Sequence, residues 1–130
     1  MEEAQRALIE RHITAFNEGV GTGDFGPMLD GFADDAELEF VGVPVGPFRG
    51  KDEISAAYAR QPPTDRVRVL DAGDRDGSIV VAYAWSAEPE RRAGEMIFST
   101  RAGEISRLVV TFAPAHSRLE AARRNESPAR

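Results

Sequence analysis

Four carboxylates lie within nine residues of the segment FADDAELEF: Asp34, Asp35, Glu37 and Glu39. Clustered carboxylates are candidates for acid–base catalysis or cation binding, because both need oxygen groups that converge on one point. No histidine is close to them in the sequence, and a calcium-binding loop would place its acids alternately around a glycine. We therefore predict no metal site here, and acid–base chemistry depends on which way the side chains point.

The surrounding pattern predicts that direction for the two glutamates. Leu38 and Phe40 alternate with Glu37 and Glu39, which is typical of a half-buried strand. Since the apolar pair should face the interior, we expect the glutamates to face water. This segment therefore predicts solvated acids rather than an active site.

A second candidate for chemistry is His12. It lies in a segment, residues 4–17, whose apolar residues recur at helical spacing. These residues are Leu8, Ile9, Ile13 and Phe16. Because His12 lies in the middle of this stripe, it is either a general acid or base inside a pocket or a core histidine bonded to a backbone carbonyl.

The remaining elements give a mixed fold. A short helix is predicted over 24–32, and KDEISAAYAR at 51–60 predicts a third helix that is ended by two prolines. After it the chain is predicted to form four antiparallel strands in a meander. Helices followed by strands indicate the α+β class. We expect one domain over 1–115 and a charged, frayed tail over 116–130.

Composition narrows the function classes. The 130 residues include no cysteine and carry a net charge of −6. The acidity argues against nucleic-acid binding, which needs a basic face. No apolar run is long enough for a membrane span, and the cysteine-free chain fits a cytoplasmic location.

The order of elements, together with the motifs FNEG…GDF, FADDA and FRGKDEISAAY, resembles the nuclear transport factor 2-like superfamily, in its ketosteroid-isomerase and SnoaL-like branch. The resemblance covers residues 4–114. It implies a cone in which a curved antiparallel sheet wraps around three helices and encloses an apolar pocket. It also implies that FADDA ends the second helix, so that Asp34 and Asp35 lie at a turn. Neither a metal nor an organic cofactor is implied.

The resemblance also assigns roles to single residues. In the isomerase pattern the catalytic base falls on Phe40, whose ring cannot accept a proton. The position of a tyrosine donor falls on His12, and that of its acidic partner falls on Glu95, so the resemblance implies a His12–Glu95 pair. Strand alternation conflicts with this register, because it buries Met96 and Phe98 and exposes Glu95.

Two classes of function follow. One is a proton-transfer enzyme of isomerase, cyclase or lyase type that acts on an apolar, polyketide- or steroid-like ligand, with His12 as acid or base and Glu95 orienting it. The alternative is a non-catalytic ligand-binding domain or a structural dimerisation module. The residues predicted to line the pocket are Phe16, Phe40, Tyr58, Leu108, Val110 and Phe112.

A homodimer is also expected. The segment SIVVAYAW at 78–85 is apolar on both faces, whereas a sheet with one face in water alternates with polar residues. A second copy packed on the outer sheet face would cover the additional apolar residues, and the family resemblance implies the same arrangement.

Overall fold

The computed structural model describes residues 1–113. The predicted tail at 116–130 and the last two residues of the predicted domain lie outside this range. The helices are α1 (Glu3–Thr22), α2 (Gly26–Leu29) and α3 (Lys51–Arg60). The strands are β1 (Phe32–Phe40), β2 (Phe48–Arg49), β3 (Val67–Arg75), β4 (Ser78–Trp85), β5 (Arg92–Arg101) and β6 (Glu104–Val110).

The six strands form one sheet in the order β2-β1-β6-β5-β4-β3. All neighbours are antiparallel except β1 and β6, which run parallel. Register shifts interrupt four of the five strand pairs, and such irregularities bend and twist a sheet. The result is a curved sheet with three helices, which confirms the predicted α+β architecture.

Helix α1 packs across the inner face of the sheet. Its buried side chains include Leu8, Ile9, Ile13 and Phe16, as its helical spacing predicts. Asn17 fixes its position, because its side-chain amide accepts from the Val67 N–H at 2.8 Å and donates to the Val67 carbonyl at 3.0 Å. One side chain therefore fastens the end of the predicted helical stripe to the start of β3.

The region between α1 and β1 differs from the prediction. Helix α2 is only four residues long, and β1 begins at Phe32, where the prediction extended the helix. Phe32 and Ala33 are both buried, so the alternation that marks a strand is broken at its start. The prediction that Asp34 and Asp35 lie at a turn is therefore wrong, because both belong to β1.

Among the described residues, no helix is long and apolar enough to cross a membrane.

Candidate functional site

A cavity of about 600 Å³ lies between the helices and the inner face of the sheet. Helices α1 and α3, the segment between β1 and β2, and strands β1 and β3 to β6 all contribute to its wall. Ten residues of the chain are aromatic, and seven of these line the cavity. The seven are Phe16, Phe40, Phe48, Tyr58, Tyr83, Trp85 and Phe112.

The structure brings together all six residues predicted to line a pocket. Phe40, at the position where the isomerase pattern has its base, packs between two other rings at the mouth. Its ring centroid lies 6.4 Å from that of Phe112, nearly parallel, and 6.3 Å from that of Phe48, edge to face. These three rings therefore form an aromatic surface, and Phe40 itself offers no proton acceptor.

The sequence analysis missed part of the wall. Val43, Val45 and Phe48, in and just after the segment VGVPVG, border the cavity, and the two valines are partly exposed. A valine at every second position was the available signal, but the glycines and prolines between them indicated only a turn. Met96 and Val67 also line the cavity and were not predicted to do so.

His12 borders the cavity from α1 and is 6% exposed. Burial lowers its pKa from 6.5 to about 4, so the imidazole is neutral at pH 7. Its Nδ1 atom is buried and has no hydrogen-bond partner among the described residues. Phe32 and Phe98 approach it edge to face, with ring centroids 5.7 and 5.3 Å from that of His12.

Glu95 does not meet His12. Its side chain points away from the cavity, where it forms ion pairs with Arg92 and, at 3.4 Å, with Arg75. Its strand neighbour Met96 is buried on the inner face. The predicted pair is therefore wrong: strand alternation gave the correct side of the sheet, and the register that the family resemblance implied did not.

A glycine maintains this arrangement of β5. A Cβ atom on Gly94 would lie 1.9 Å from the backbone oxygen of Thr111, so the strand can approach the end of β6 only without a side chain there. The following residue, Glu95, then donates its N–H to the Thr111 hydroxyl at 3.1 Å. A side chain at residue 94 would therefore push β5 away from the end of β6.

The two tyrosines of the wall are uncharged donors. Burial raises the pKa of Tyr58 above its usual range, and no hydrogen bond of its hydroxyl is found within residues 1–113. Tyr83 is fully buried and donates to the Thr111 carbonyl at 3.1 Å, and burial raises its pKa to about 12. Neither phenol ionises near neutral pH, so neither supplies a base.

The acids of the FADDAELEF segment lie outside the cavity, and each is paired with a basic residue. The glutamates face outward, as predicted, and Arg107 contacts both, at 3.9 Å for Glu37 and 2.8 Å for Glu39. Lys51 lies 3.7 Å from Asp34. Arg101 binds Asp35 and lowers the pKa of that carboxyl through a hydrogen bond and its charge.

Within residues 1–113, no carboxylate lines the cavity, and Arg60 is the one ionised side chain among its lining residues. Arg60 is exposed in the last turn of α3, so its charge lies at the mouth rather than inside. Within residues 1–113, no group of three histidine, aspartate or glutamate side chains is placed to hold a metal ion. The arrangement offers apolar contact area and uncharged hydrogen-bonding groups.

Comparison with protein families gives one match: the model of the SnoaL-like domain aligns with residues 9–112. No curated protein shows significant similarity to the chain.

Solved structures share the fold at low sequence identity. A SnoaL-like protein of unknown function from Burkholderia thailandensis has a TM-score of 0.68 at 17% identity, over 87% of this chain and 98% of that one. An NTF-2-like protein of unknown function from Burkholderia xenovorans has a TM-score of 0.68 at 19% identity, over 89% and 92%. A protein from Kribbella flavida, provisionally named a ketosteroid isomerase, has a TM-score of 0.63 at 15% identity, over 87% and 80%.

Proposed function

This chain belongs to the SnoaL-like domain family, and we propose that it binds an apolar small molecule inside its cavity without converting it. The observation that carries the proposal is the cavity of about 600 Å³, whose wall is largely aromatic and aliphatic. Ligand sites are commonly about 300–1,000 Å³ in volume, mostly apolar, with a few polar groups. Here His12 and Tyr58 are such groups, because both border the cavity and neither has an intramolecular hydrogen bond within residues 1–113.

The wall argues against turnover by proton transfer. A general base works best when its pKa lies near the working pH, and the pKa of His12 is about 4. In the described part of the chain, the lining contains no carboxylate, and Glu95 is on the other face of the sheet. At neutral pH the cavity therefore has only a weak base and no group poised to give up a proton.

The cavity also argues against a purely structural module. Protein cores are usually packed about as densely as organic crystals, so dimerisation alone gives no reason for a cavity of this size. Seven rings around an open space leave contact area on their inner sides that a ligand can cover.

The only tryptophan, Trp85, lines the cavity and reports on its contents. We expect energy transfer from Trp85 to bound N-phenyl-1-naphthylamine, a neutral apolar probe. Ala57 lines the cavity from α3, whereas its neighbour Ala56 is exposed. Ala57→Phe should fill the space and weaken binding at least tenfold, and Ala56→Phe should leave binding unchanged. Absence of energy transfer in the wild type, or equal binding by both variants, contradicts the proposal.

Proton transfer is the second candidate, favoured by the position of His12, a neutral imidazole, in the cavity wall. In that case neutral His12 would remove a proton from a bound ketone. With a 3-keto-Δ5 steroid as the test substrate, we expect no isomerisation above the buffer rate. Rapid isomerisation that is lost in His12→Gln would replace the binding function with the catalytic one.

We further propose that a second copy of the chain covers the outer sheet face. Val80, Ile97 and Val109 are register partners on adjacent strands and form a half-exposed apolar row there. Light scattering should give about twice the 14.2 kDa of one chain. Ile97→Glu should give monomers, while Val41→Glu, on an exposed loop, should not. A wild-type mass of one chain contradicts the dimer.

A further inference from the structure

The arrangement of the aromatic rings in the cavity wall indicates the shape of its ligand. Most of its rings occur in contacting pairs: Phe40 and Phe112 are 24° from parallel, and Tyr83 and Trp85 meet at 82° with centroids 5.5 Å apart. Rings in such pairs present both faces and edges to the space between them. Flat aromatic molecules gain offset-stacked and edge-to-face contacts in such surroundings, which branched aliphatic molecules do not.

The charge of Arg60 at the mouth of the cavity indicates the charge of the ligand. Arg60 is the one ionised side chain in the lining, and it forms no ion pair within the described part of the chain. A basic residue in the last turn of a helix complements the helix dipole, so its place in α3 alone indicates no ligand. Its position beside an aromatic cavity does indicate a ligand with a carboxylate and rings. A guanidinium binds a carboxylate with two parallel hydrogen bonds and also stacks on rings.

The deep end excludes a charge. His12, the most deeply buried polar residue of the wall, is neutral near pH 7, and Arg60 at the mouth is the one ionised side chain of the lining within residues 1–113. A charged group buried there would lose its hydration without gaining a partner of opposite sign. An aromatic cage for a quaternary ammonium ion is disfavoured as well, because the positive charge of Arg60 lies at the entrance.

We infer that the ligand is a flat aromatic acid, with its rings between the aromatic walls and its carboxylate at the mouth beside Arg60. This inference rests on the proposed binding function and adds the chemical class of the ligand. The overall charge of −6 repels anions, so binding of an acid depends on the local charge of Arg60.

Three probes of one shape test the inference: anthracene-2-carboxylate, the uncharged anthracene-2-carboxamide and the cationic 2-(aminomethyl)anthracene. Each absorbs where tryptophan emits, so energy transfer from Trp85 measures its affinity. At low ionic strength the carboxylate should bind about threefold to tenfold more tightly than the amide, and added salt should reduce this ratio. Arg60→Gln should abolish the ratio by weakening binding of the carboxylate more than binding of the amide, because only the carboxylate gains from the charge of Arg60.

Arg6→Gln is the matched control, because Arg6 is exposed on α1, does not line the cavity and changes the net charge equally. It should keep the preference for the carboxylate. Equal binding of carboxylate and amide in the wild type, a preference that survives Arg60→Gln, or tightest binding of the cation each overturn the inference and leave the proposed binding function standing. Failure of the neutral naphthylamine and all three anthracenes to bind counts against both.

Discussion

The two faces of the sheet use ionisable residues in opposite ways. On the outer face, Glu37 and Glu39 share Arg107, and Glu95 pairs with Arg92 and Arg75. On the inner face, as far as residues 1–113 show it, the neutral His12 lies among apolar and aromatic side chains. The comparison teaches that closely spaced acids can act in the cavity only if their side chains point to the inner face of the sheet. Here these glutamates point to the outer face and pair with arginines.

The largest expected effect contrasts substitutions on the two faces. Phe98 is fully buried on the inner face, and Phe98→Ala should lower the free energy of unfolding by about 4 kcal/mol, through lost burial and an added cavity. Glu39→Gln, which weakens an exposed pair with Arg107, should cost less than about 1 kcal/mol. Urea unfolding measures both. Similar costs for the two variants would remove the distinction between the faces.

The next effect concerns pH. His12 has a folded-state pKa of about 4 against 6.5 when unfolded, so the unfolded chain binds more protons between these values. Above pH 6.5, His12 is neutral in both states and does not lower the free energy of unfolding. As the pH drops, protonation of His12 in the unfolded chain lowers that free energy, by about 3 kcal/mol at pH 4. The variant His12→Leu has no titrating group at this position and should not show this loss of stability. Unfolding free energies of both proteins from pH 7 to 4 should diverge in favour of the variant, and parallel curves would contradict a buried neutral imidazole.

The smallest expected effect tests the correction at Glu95. Glu95→Gln removes a charge on the outer face, so the pKa of His12, followed by NMR, should change by less than about 0.3 because solvent and salt screen the two groups from each other. A marked fall of that pKa would restore the His12–Glu95 pair that the structure separates.

The sequence predicted the fold well because long periodic segments carry most of it: α3 lies at its predicted residues, and the stripe of α1 is buried as expected. The start of β1 was not predicted by the same method. Phe32 and Ala33 are consecutive buried residues before a register shift, and they fit neither the helical period nor the alternation of a strand. Val43 and Val45 in the 41–47 loop were missed for another reason. The glycines and prolines beside them predict a turn and say nothing about which side chains border the cavity.

For the site, the six residues predicted to line a pocket all border the cavity, but the register that the family resemblance implied misplaced Glu95. Positions on a wall tolerate small errors of alignment, whereas the side of a strand reverses with a shift of one residue. The local alternation of Glu95 with the apolar Met96 and Phe98 predicted the correct side, whereas the close approach of Gly94 to Thr111 joins distant segments and leaves no local pattern. Short-range patterns therefore predicted the elements and the side on which Glu95 lies, but not the contacts between distant segments.

The central claim is that the inner cavity, and not the outer face, binds the apolar ligand. An NMR titration of the wild-type protein with N-phenyl-1-naphthylamine tests it most directly, because every assigned residue reports separately. The account predicts saturable shift changes at Phe16, Tyr58 and Leu108 in the cavity wall and none of comparable size at Val80 or Ile97. Changes centred on the outer face, or no changes at concentrations that saturate energy transfer, would contradict it.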